Sequence, residues 1–84
     1  MHPFFTQNVK SIDVKALTRE RNSLRTLRGN KRYAVDTLRS NIASSTSPTY
    51  KEIATQDLAI YLGLIDTYTT RIDEITRLLS RVSV

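Results

Sequence analysis

The clearest pattern in the chain is an apolar repeat in its second half. Ala54, Leu58, Tyr61, Ile65, Tyr68, Ile72, Ile75, Leu79 and Val82 follow one another in alternating steps of four and three. Residues three or four apart share one face of an α-helix, so the repeat predicts one long helix over residues 48–83 with a coiled-coil-like seam. Upstream, Val14, Leu17, Leu24, Leu27, Ala34, Leu38 and Ile42 form a second stripe, interrupted by Glu20 and Lys31. This stripe predicts a first helix over residues 12–43, with Ser11 as N-cap and Asp13 in the first turn. Between the two lies Ser44-Ser45-Thr46-Ser47-Pro48, a cluster of loop-forming residues. Either Ser47 caps the second helix with Pro48 at its first position, or Thr49 caps it and Glu52 closes a capping box.

One internal breaker competes with this reading. Gly29-Asn30 follows Arg25 and Arg28, and basic residues suit a helix C-terminus. The alternative is therefore a three-helix bundle broken at Gly29-Asn30. Length decides between the two. The second helix spans roughly 50 Å at 1.5 Å per residue, and a single first helix matches it. The expected fold is all-α: a single domain, built as a long antiparallel helical hairpin with an extended N-terminal arm over residues 1–11 and a loop over 44–47.

One stretch is too apolar for a two-helix hairpin. Leu58 to Ile65 is apolar on every face, and a helix hydrophobic all round is buried all round. Ile60, Leu62 and Leu64 lie off the seam, and Gly63 would let another backbone come close. With Phe4 and Phe5 of the arm, these residues form the expected partner or oligomer interface. The two phenylalanines either cap the hairpin's open end or anchor in a neighbouring subunit.

Composition sharpens this expectation. An 84-residue chain has a small core of its own and ordinarily needs a staple. It has no cysteine, and its one histidine is His2, so disulfides and thiolate metal sites are excluded and no metal or other cofactor is expected. Association with a protein partner or with further copies remains as the staple. No run of about 18 apolar residues could span a membrane. Met1 to Ser11 lacks a charged start followed by an apolar run, so no secretory signal is expected and the location is read as intracellular or within a particle.

The charge is uneven. The chain carries a net +5, yet between Lys15 and Arg39 eight cations stand against two carboxylates, a net +6. Arg21, Arg25, Arg28 and Arg32 follow steps of 4, 3 and 4, and Arg39 lies a heptad beyond Arg32, so together they read as one basic ridge. The ridge would be solvated, reach to Asp57, Asp66, Asp73 and Glu74 of the second helix, dock on an acidic protein, or contact phosphates. Against nucleic acid, no helix-turn-helix or zinc signature is present.

Catalytic chemistry finds no foothold. No histidine stands ready to serve a serine, and Gly29 and Gly63 are too few and too far apart for a phosphate loop. Asp73 and Glu74 are neighbours on a helix, about 100° apart, and do not converge as an acid/base pair. Tyr61 and Tyr68 sit on the seam as packing residues. The expectation is a non-enzyme without a small-molecule substrate: a helical interaction module serving as an assembly or adaptor subunit, with a small basic nucleic-acid-binding protein as the alternative. The order of basic helix, Ser/Pro bend, Tyr50 and apolar helix resembles, over Leu38 to Tyr68 and without a diagnostic motif, the small hairpin co-chaperones of type III secretion needle subunits. In composition the chain equally resembles small helical subunits of phage or virus particles, and neither likeness assigns a role to any residue.

Overall fold

The computed structural model describes residues 12–82. Two α-helices, α1 (Val14–Ser44) and α2 (Pro48–Val82), pack against each other along their length as an antiparallel hairpin joined by a three-residue bend. There is no strand among the described residues. The expected arm, with Phe4 and Phe5, lies outside the described residues.

α1 starts at Asp13, whose carboxylate accepts the Ala16 amide at 2.9 Å. The cap is thus Asp13 rather than Ser11: its extended backbone and short acceptor satisfy an otherwise orphaned N–H. α1 then runs without interruption through Gly29 and Asn30, so the three-helix alternative falls. A mid-helix glycine costs about 1 kcal/mol against alanine, too little to break a helix that is paired on both sides of it. The bend is held by serine hydroxyls. Ser47 Oγ accepts the Tyr50 amide at 3.2 Å and Ser45 Oγ accepts the Ser47 amide at 3.1 Å. Of the two expected caps, Ser47 followed by Pro48 is the one formed.

The α2 seam reads through as the repeat predicts, with Ala54, Ile72 and Ile75 buried and Leu58, Tyr61, Ile65, Tyr68 and Leu79 half-buried. Its last position, Val82, is exposed. The α1 seam differs from the stripe of apolar residues. Val14 and Leu27 are exposed, while Val35 is buried. The residues that face α2 are Leu17, Arg21, Leu24, Arg28, Lys31, Val35, Leu38 and Ile42, all buried or half-buried, in unbroken steps of four and three. Three of these eight positions hold cations. Their aliphatic stems cover the seam while their charged heads reach its edge.

Only Val35, Ala54, Ile72 and Ile75 are buried among the described residues, Ile75 completely. With so small a dry core, single changes weigh heavily. A Cβ added at Gly29 would meet no atom within 4 Å, so Gly29→Ala should stabilise by about 1 kcal/mol and raise the melting temperature by roughly 4–8 °C, read by circular dichroism. Ile72→Asp places an unpaired carboxylate on the seam at several kcal/mol and should abolish the cooperative melt in the same measurement.

Candidate interaction surfaces

With the seam fixed, helical phase assigns every other residue to a face. Two contacts identify which edges meet. Glu20 and Arg71 pair along one edge, where Arg71 donates through Nε to Oε2 at 2.8 Å and through Nη2 to Oε1 at 3.0 Å. Along the opposite edge, Arg28 Nη1 donates to Thr69 Oγ1 at 3.2 Å. The hairpin is therefore a two-sided plank whose sides differ in chemistry.

The side marked by Glu20–Arg71 is nearly free of charge from the bend to the level of Ser23 and Thr67. α1 contributes small or neutral residues there: Ser23, Leu27, Asn30, Ala34, Thr37 and Asn41. α2 contributes large ones: Tyr50, Ile53, Ile60 and Leu64, with Thr67 and a single charge, Asp57. Ile53 and Ile60 are 55% and 60% exposed, and Leu27 is 43% exposed. Apolar side chains of this size standing together in water mark an interaction surface more often than scattered ones do.

The other side carries arginine. Arg25, Arg32 and Arg39, seven residues apart, form a row along its α1 edge and are all exposed. None of the three makes an ion pair or a side-chain hydrogen bond among the described residues. Leu62 of α2 lies on this side, and Gly63 lies on the outer back of α2, where a Cβ would meet nothing within 4 Å. The residues expected to form one interface are thus divided: Ile60 and Leu64 share a side, and Leu62 and Gly63 do not join them.

The basic ridge divides likewise. Arg25, Arg32 and Arg39 face solvent, whereas Arg21 and Arg28 enter the seam with Lys31. Lys31 Nζ stands 5.3 Å from the centroid of the Tyr61 ring, a cation–π distance. Arg21 Nε is buried without a hydrogen-bond partner among the described residues, beside an open 360 Å³ cleft between Val14, Thr18, Thr76 and Ser80. None of the expected reaches to Asp57, Asp66, Asp73 or Glu74 is made by these arginines. The residue that pairs instead is Arg71, with Glu20 and, at 3.9 Å, Glu74. In the sequence alone Glu20 interrupts the apolar stripe and nothing marks Arg71. Their positions at matching levels on one edge are legible only once the register is known.

The hydrogen bond from Arg71, aided by its charge and opposed by partial desolvation, holds the Glu20 carboxyl below its ordinary range, and Arg71 is correspondingly raised. Among the described residues, no group of three or more His, Cys, Asp or Glu side chains could hold a metal ion. No described helix is long and apolar enough to cross a membrane. No protein-family model matches the chain, and no curated protein or solved structure is significantly similar to it.

Replacing Arg25, Arg32 and Arg39 together with Gln should change stability by no more than about 0.5 kcal/mol and leave the melting temperature close to the parent's, since Gln and Arg have similar helix propensity. Arg28→Ala and Lys31→Ala should each lower it, because each removes a stem packed on the seam. In acid, a carboxyl lowered in the folded state contributes stability fully above its unfolded value and loses it as pH falls through the folded value. Glu20→Gln should remove that share of the acid-side slope in a series of melts across pH.

Proposed function

We propose that this chain is a non-enzymatic helical protein–protein interaction module, an assembly or adaptor subunit working inside a cell or within a particle. The observation that carries the reading is the charge-depleted side of the hairpin, where Ile53 and Ile60 stand more than half exposed beside Leu27 and Leu64. The centres of protein interfaces are depleted of charge and enriched in large apolar and aromatic side chains. A hairpin with only four buried residues among those described also gains most from covering a second surface.

A second reading draws on the other side. The row of Arg25, Arg32 and Arg39, unpaired among the described residues, suits a polyanion and supports a small nucleic-acid-binding protein. Titration against random duplex separates the two. Three phosphate contacts give a log–log salt slope of about −2.7, while an interaction module shows no binding near 0.1 M salt. In the same preparation, the chain in a cell lysate should run in a protein complex larger than a single chain, and Ile60→Asp should release it. Steep salt-dependent duplex binding together with no effect of Ile60→Asp would transfer the function to the arginine side.

A further inference from the structure

The charge-depleted side has an internal asymmetry that selects its occupant. Its α2 strip is bulky, led by Ile53, Ile60 and Leu64, and its α1 strip, apart from Leu27 toward the open end, is low, built around Asn30, Ala34 and Thr37. Bulky strips pack on low ones. A symmetric pair of identical chains must present one self-complementary patch twice. A patch with a ridge along one edge and a trough along the other meets that condition under one rotation: a twofold axis parallel to the long axis of the hairpin. That rotation swaps the edges and keeps the ends, so the ridge of each copy enters the trough of the other.

We propose that this side is a self-association surface covered by a second copy of the chain. α2 of each copy lies over α1 of the other, and the two bends sit at the same end of an antiparallel four-helix bundle. The inference rests on the interaction-module reading and names its partner. Charge favours this arrangement. Asp57 is the one charge within the two strips, and the rotation sets the two Asp57 side chains across the bundle from each other, each over a neutral α1 strip. Turning one copy end over end instead lays ridge on ridge and brings the two Asp57 residues toward one another. The patch ends where charge resumes at Glu20 and Arg71, toward the open end of the hairpin. An end-over-end pair centred on the hairpin would set the bend-proximal part of the patch against that charge, whereas the parallel axis overlays patch on patch. Two helices side by side over about 21 residues cover roughly 600 Å² in plan, the order of the ~800 Å² that each partner of a specific complex buries.

The test uses the full chain. Sedimentation at micromolar concentration should give a dimer for the parent and for Leu62→Asp, and a monomer for Ile60→Asp. Because loss of the dimer could also loosen the hairpin, a second measurement leaves the patch intact. The chain has no cysteine, so Thr46→Cys in the bend accepts a single nitroxide label. Bends at one end of the bundle give an inter-spin distance of roughly 20 Å or less, two helix diameters. A distance of about 30 Å or more, or a dimer that survives Ile60→Asp and dissociates with Leu62→Asp, would overturn the proposal. A parent that is monomeric when pure but enters a larger complex in lysate, released by Ile60→Asp, overturns the second copy and leaves the interaction reading standing. A monomer under both conditions overturns both.

Discussion

The hairpin depends on accommodating three cations along the line where its helices meet. Arg21, Arg28 and Lys31 occupy seam positions of α1, opposite an α2 seam that is apolar or aromatic throughout. Pairing is feasible because Arg28 and Lys31 divide their labour: the stem covers apolar surface and the head is received at the edge. α2 meets two of these heads with groups that can receive them, the Thr69 hydroxyl and the Tyr61 ring. The consequence is a seam whose driest points lie toward its two ends, Val35 and Ala54 near the bend and Ile72 and Ile75 toward the opening, with a wetter middle. A seam of this composition favours pairing with a partner that offers acceptors in register, which narrows the ways the two helices can align.

The helices differ in how far their sequences disclose them. In α2 the residues facing the partner are nearly all apolar, so counting apolar residues finds the seam. In α1 the same count fails, because the cations share the inward face while Leu27 lies off it and Val14, in phase with the seam, is exposed at the helix end. Following the step pattern through Lys31, rather than treating Lys31 as a gap, leads to Val35. Gly29-Asn30 looks like a terminus locally and is overruled by pairing on both sides of it, since tertiary packing outweighs a propensity difference of about 1 kcal/mol. The serine cap and the bend were legible because their chemistry is local.

The surfaces were half legible. An excess of apolar residues over what one seam can bury is visible in Leu58 to Ile65 without a structure. Which of them share a side is a matter of phase relative to the seam, and phase assigns Leu62 and Leu64, two residues apart, to opposite sides of the plank. The arginines show the same effect. Read as one ridge they suggest one role, yet the 4-3-4 steps straddle the boundary between the seam and the outer row. Identical side chains therefore serve packing at Arg28 and present open charge at Arg32.

The three-residue bend has a consequence for the order in which the molecule takes shape. Val35 and Ala54, the dry residues nearest the bend, are separated by about 20 positions of chain, whereas Leu17 and Ile75 are separated by nearly 60. Closing the longer loop first costs about 1 kcal/mol more in chain entropy than closing the shorter one. Once the bend end has closed, each further turn is brought together by a chain already tethered a few residues away. The hairpin is in that sense a zipper with its slider at Ser45–Ser47, and its last teeth are those that surround the open cleft beside Arg21.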